Sequence, residues 1–212
     1  AGEFTLEPLR EILKRLGDPQ EQLRFVHIGG TNGKGSTLAF VSTVLKEAGY
    51  RVGRYISPTI FSYRERIQVC EQYISREDLV RLTAKVRTAG EQMLAEGLGH
   101  PTMFEAETAV AFLYFAEQAC DLVVLEVGMG GRLDATNVIK NTEVAVLSSI
   151  SMDHMGFLGD TLGEIAENKA GIIKPGCTVV TARQEPEAKT AILQEKIGGY
   201  SAKKASSFPS RL

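Results

Sequence analysis

The residues with the clearest chemical reach form one run, Gly29-Gly30-Thr31-Asn32-Gly33-Lys34-Gly35-Ser36-Thr37. Glycines let backbone N–H groups come close to anionic oxygens, and successive amides make a concave anion nest. A lysine in such a run reaches the outer phosphates of a nucleoside triphosphate, and a nearby hydroxyl faces Mg²⁺. Gly30, Thr31, Asn32, Gly33, Lys34, Gly35, Ser36 and Thr37 are therefore the expected nucleotide-binding set, with Lys34 the residue acting on the transferred group and Ser36 or Thr37 serving the ion. In the usual spacing the hydroxyl directly follows the lysine, whereas here Gly35 intervenes. The bland alternative is a glycine-rich turn that binds nothing. The lysine and the apolar run Phe25–Ile28 just ahead of it favour the phosphate reading.

A second chemical candidate is Glu126, at the end of the apolar run Leu122–Val127. A carboxylate at a strand end beside a phosphate loop is the usual second anchor for Mg²⁺; alone it is equally a helix cap or an ion-pair partner. Gly128 to Asn137 follows it, combining three glycines with Arg132, Asp134 and Asn137, and such a loop is rarely only a connector. His154 sits just past another apolar run and is a candidate metal ligand if it shares a rim with Glu126. Lys169 falls with Leu162, Ile165 and Ala166 at i, i+3, i+4 and i+7, which places it on an apolar helix face. Either it snorkels to water, or it is held in a dry site, where a lysine amine is more reactive and could take up CO₂ as a carbamate.

These groups need positioning by elements that the apolar periodicity predicts. Helices are expected over 6–16, 36–48, 76–96, 104–119, 162–171 and 187–197. Strands are expected over 25–28, 52–56, 122–127, 143–150 and 178–182, with a small hairpin from 67–69 and 73–74. Alternation of strands and helices points to an α/β, three-layer, phosphate-loop-type fold: a mostly parallel central sheet flanked by helices. Ligands in such folds sit at the carboxyl ends of the strands, which is where the candidate residues fall. Residues 1–197 are expected to form one nucleotide-binding domain, and 198–212, small, polar and basic, a tail outside it.

The whole chain sets outer bounds. Its 212 residues suffice for one large domain. A formal net charge of −2, without a basic stripe, gives no expectation of nucleic acid as partner. No apolar run is long enough to span a membrane. Cys70, Cys120 and Cys177 are odd in number and far apart, so reduced thiols in a cytoplasmic, monomeric protein are expected rather than disulfides or zinc.

Gly30-Thr-Asn-Gly-Lys-Gly-Ser36 resembles the phosphate loop of the Mur-ligase-like enzymes in the form found in folylpolyglutamate and dihydrofolate synthases. Ser57-Pro58 with Arg64-Glu65-Arg66-Ile67, Thr102-Met103-Phe104-Glu105, Glu126 to Asn137, Asp153-His154 and Lys169 to Gly176 match further blocks of that family in order, over roughly residues 5 to 195. Thr59 and Gly156 depart from it, standing where a histidine and a larger polar residue are common. The resemblance implies an ATP- and Mg²⁺-dependent amide ligase that joins glutamate to a folate or dihydropteroate carboxylate through an acyl phosphate. It implies that Ser57, Glu126 and His154 bind Mg²⁺, with Ser36 serving the ion at the triphosphate. It also implies that Thr102, Met103, Phe104, Glu105, Leu133, Asp134 and Ala135 line the folate site, and that Lys169 matches a carbamylated lysine. Lys34, His154 and Lys169 are then the catalytic set. Members of the family carry a further carboxy-terminal domain for the adenine base and glutamate, so weak or absent ligation is expected of these residues alone. The alternatives are another Mur-type amino-acid ligase, which usually lacks Gly35, a non-catalytic nucleotide- or folate-binding module, and an unrelated kinase or NTPase.

Overall fold

The computed structural model describes residues 5–152 and 158–199. Five parallel strands form the centre of one sheet: β1 (Phe25–Gly29), β2 (Val52–Tyr55), β5 (Leu122–Glu126), β6 (Thr142–Leu147) and β7 (Thr178–Thr181). The hairpin β3 (Ile67–Val69) and β4 (Gln72–Tyr73) adds an antiparallel edge, giving the order β4-β3-β2-β5-β1-β6-β7. Its two-residue turn, Cys70-Glu71, has positive φ at both positions, the conformation that matches strand twist in tight hairpins. β1 lies in the middle with β5 on one side and β6 on the other. The chain leaves β1 at a crevice of the sheet's carboxyl edge.

Strand alternation sorts the core into two faces. Phe25, Tyr55, Val123, Leu125, Ala145 and Leu147 face one way, under α1 (Glu7–Arg15), α3 (Arg76–Ala95), α4 (Met103–Glu117), α5 (Leu162–Ala170) and α6 (Pro186–Gly199). Val26, Ile28, Val52 and Val124 face the other way, under α2 (Lys34–Glu47) through Leu38. α4 is the centre of the thicker layer, buried continuously from Thr108 to Phe115. Phe112 packs edge-on against Phe25 with ring centroids 5.6 Å apart. Burying one such aromatic side chain contributes about 1.5–3 kcal/mol.

The expected elements are present, with shifted ends that matter at the site. α2 begins at Lys34 rather than Ser36, so the lysine is already in the first helical turn. β6 stops at Leu147 instead of continuing to Ile150, because residues 148–151 turn away to bond the phosphate loop. α6 runs to Gly199, past the expected end at Ile197. A 3₁₀ turn at Ala135–Val138, capped by Asp134 through the Thr136 amide, was not expected.

Candidate active site

The phosphate loop is a strained, strapped turn. Gly30 has φ +129°, and a Cβ there would lie 2.0 Å from the Ser148 hydroxyl, so no other residue fits. Thr31 donates its N–H to the Ser149 carbonyl at 2.8 Å, and its hydroxyl is 3.2 Å from both the Ser151 carbonyl and the Ser151 amide. Gly33 caps α2 in the left-handed region and offers no side-chain cap. The first amides of α2 therefore face outward with the positive end of the helix dipole, an arrangement suited to phosphate. Lys34 Nζ donates to the carbonyls of Gly30 and Thr31, both at 3.3 Å.

Lys169 reaches the same place from α5. It is 3% exposed and donates to the Gly30 carbonyl at 3.1 Å, so it does not snorkel. Lys34 and Lys169 line one small cleft together with Gly30 and Gly128 to Gly130. The close approach of α5 to this loop depends on Gly131, where a Cβ would sit 2.7 Å from the carbonyl oxygens of Asn168 and Lys169.

Glu126 and Ser57 converge beside this cleft. The Ser57 amide donates to Glu126 Oε2 at 3.3 Å, and the Ser57 hydroxyl is buried without a hydrogen-bond partner among the described residues. Gly35, in the first turn of α2, faces the Glu126 carboxylate: a Cβ there would be 3.9 Å from each oxygen. Burial raises the Glu126 pKa, opposed by the Ser57 amide and the Lys34 charge. An under-satisfied carboxylate beside an orphaned hydroxyl is an oxygen donor set of the kind Mg²⁺ takes. No group of three His, Cys, Asp or Glu side chains gathers among the described residues. Ser36 lies exposed in the first turn of α2. Asp153, His154 and Gly156 lie outside the described residues.

On the other side of Ser57 opens a cavity of about 690 Å³. Thr102, Phe104, Glu105, Leu133, Asp134 and Ala135 all line it; Met103 does not, and is 76% exposed. The resemblance gave no role to Leu6, at the cap of α1, to Pro8 in its first turn, to His100, or to Met129, which also contribute walls. Arg66 lines it too, stacking within 5.7 Å of the Phe104 ring centre and pairing with Glu107 at 2.9 Å. Glu105 is engaged locally: its Oε2 accepts the Thr102 N–H at 2.7 Å and the Thr102 hydroxyl at 2.8 Å. That box is legible as Thr-x-x-Glu ahead of an apolar run. Asp134 is buried and closes its own loop, accepting the amides of Met129 and Thr136, each at 2.9 Å; burial raises its pKa. The loop before Arg66 is held by Glu65, whose carboxylate accepts the amides of Ile60, Phe61 and Ser62.

Fold and site together define an α/β domain of the phosphate-loop class. Residues 28–207 match the Mur ligase middle domain, and the chain belongs to that family. It is 46% identical over 188 residues to the dihydrofolate synthase/folylpolyglutamate synthase of Bacillus subtilis, covering 88% of this chain and 44% of the relative. It is 42% identical over 182 residues to the folylpolyglutamate synthase of Lacticaseibacillus casei, covering 85% and 42%. A solved folylpolyglutamate synthase complex with AMPPCP and folate aligns with a TM-score of 0.89 at 38% identity, over 95% of this chain and 50% of that one. The chain thus spans less than half the length of these curated relatives and about half of the solved chain.

Proposed function

We propose that this chain is the nucleotide- and folate-site portion of an ATP-dependent ligase that adds L-glutamate to dihydropteroate or a folate. The observation that carries this reading is the sharing of walls: Gly128 and Met129 border both the phosphate cleft at Lys34 and the 690 Å³ cavity, and Ser57 stands between that cavity and Glu126. A substrate carboxylate entering from the cavity meets a γ-phosphate held by the loop. Its oxygen attacks phosphorus, ADP leaves, and the glutamate amine displaces phosphate from the acyl carbon to leave an amide.

The chain's own contribution is positioning and charge. The amides of Thr31 to Ser36 and the start of α2 hold the phosphates. Lys34 swings from its loop carbonyls to neutralise charge on the transferred group. Ser36, Ser57 and Glu126, joined by His154, would hold Mg²⁺, which supplies electrostatic stabilisation of that group. The largely apolar cavity around Phe104 and Leu133 takes the flat ring system, with Arg66 as its cation. Lys169, fixed against Gly30, is the site for CO₂ addition at Nζ with loss of one proton, giving a carbamate anion.

The test is ADP formation from ATP and Mg²⁺ with glutamate and either dihydropteroate or tetrahydrofolate. ADP that depends on the folate substrate supports a ligase; equal phosphate release without it points to a simple NTPase.

A further inference from the structure

We propose that His27 is a positioning residue that holds the loop Gly128–Ala135 between the two clefts, acting through Thr136 and Asp134. This rests on reading the 690 Å³ cavity as the pterin-substrate site.

His27 lies on β1, two residues before the phosphate loop, and is fully buried. Its Nε2 is 2.8 Å from the Thr136 hydroxyl. That hydroxyl in turn donates to Asp134 Oδ1. A hydroxyl has one proton to give. Oδ1 also accepts the Thr136 amide and Oδ2 the Met129 amide, so Asp134 is an acceptor throughout and Thr136 spends its proton there. The imidazole must then be the donor, with its proton on Nε2. Nδ1 is left a bare lone pair, with no partner among the described residues. The Lys174 amine, bonded to the Asn137 carbonyl at 3.1 Å, disfavours a second positive charge nearby.

A buried imidazole with one unpartnered nitrogen costs stability where Val or Leu would pack. On the same sheet face β1 has Phe25, an ordinary core residue. The hydrogen-bond chain supplies what an aliphatic residue could not. It ties the loop that carries Asp134, Met129 and Gly128 to the strand that ends in the phosphate loop. The walls shared by both clefts are thereby fixed relative to the triphosphate, which sets the approach of the substrate carboxylate.

The test uses the 212-residue chain with His27→Gln, His27→Leu and Thr136→Val. Glutamine can present an N–H where Nε2–H stood; leucine and the valine variant cannot complete the chain. Binding of dihydropteroate and of AMPPCP with Mg²⁺ is measured by calorimetry, and amide exchange at Met129 and Thr136 by NMR. For His27→Leu and Thr136→Val the expectation is a loss of about tenfold or more in dihydropteroate affinity, AMPPCP affinity within about twofold, and faster exchange at both amides. His27→Gln should restore both. The imidazole ¹⁵N signals of the unmodified chain should report Nε2–H. Unchanged dihydropteroate binding and unchanged amide protection in His27→Leu would overturn the proposal, as would an Nδ1–H tautomer. If His27→Leu does not fold, Thr136→Val breaks the same chain from its other end and decides in its place. If the unmodified chain binds neither ligand, the substrate-site reading fails, while amide exchange still decides whether His27 holds the loop.

Discussion

At the scale of single residues, the informative groups are those whose hydrogen bonding is incomplete. Ser57 has a buried hydroxyl with no partner among the described residues, and Glu126 a buried carboxylate facing it. Replacing Ser57 by Ala or Glu126 by Gln should weaken Mg²⁺-dependent binding of an ATP analogue by about 1.5–3 kcal/mol, the usual worth of a bond to a charged group. Affinity measured in EDTA should change little, and calorimetry with and without the ion separates the two. His27 gives a pH signature. Burial first, and then the Lys174 charge, lower its pKa from 6.5 to about 3. Below pH 6.5 the unfolded chain takes a proton that the folded chain refuses. Stability from this group is therefore complete above pH 6.5 and is lost as pH falls toward 3, by about 1.4 kcal/mol per pH unit. Denaturation of the unmodified chain and of His27→Gln at several pH values should show the difference between them shifting in favour of the variant on acidification. For Lys169, ¹³C-bicarbonate should give a carbamate NMR signal that Lys169→Arg lacks, since arginine is not expected to form one.

At the scale of elements, close backbone approach is what builds the cleft. A methyl group at Gly131 would run into two carbonyl oxygens and the Cα of α5. Gly131→Ala should cost about 1–3 kcal/mol or more and displace Lys169 from Gly30; thermal melting checks the first and carbamate formation the second. Gly35→Ala is the contrasting case. It lies in α2, where a Cβ meets nothing closer than 3.9 Å among the described residues. Helix propensity there should raise stability by up to about 1 kcal/mol, read by denaturant midpoint. The helices and strands themselves were legible from apolar spacing; for Lys169 the spacing gave only the apolar face, and its burial against Gly30 was decided by the structure. The Ala135–Val138 turn was not, because it is set by the Asp134 cap on Thr136 and has no periodicity to read. Nor was the early end of β6, which follows from bonds between Ser149 and Thr31, 118 positions apart in sequence.

At the scale of the whole molecule, the sheet order brings β1, β5 and β6 side by side, so three loops distant in sequence meet at one rim. The chain covers half or less of its matched relatives. Because Gly128 and Met129 border both clefts, the 212 residues are expected to bind AMPPCP and dihydropteroate with mutual dependence, which calorimetry with each ligand alone and with both together checks.

The sequence alone determined the class of fold and the phosphate loop, because both are written in local terms: apolar period, glycine spacing and a lysine at a helix start. It also carried the blocks that resemble ligases of the folate family. Only the tertiary structure decided which of those blocks touch. It put Ser57 against Glu126, left Met103 outside the cavity, and joined His27 on β1 to Thr136. Those outcomes depend on contacts between residues far apart in sequence. No local pattern encodes such contacts; they arise when packing fixes which loops share the sheet's edge.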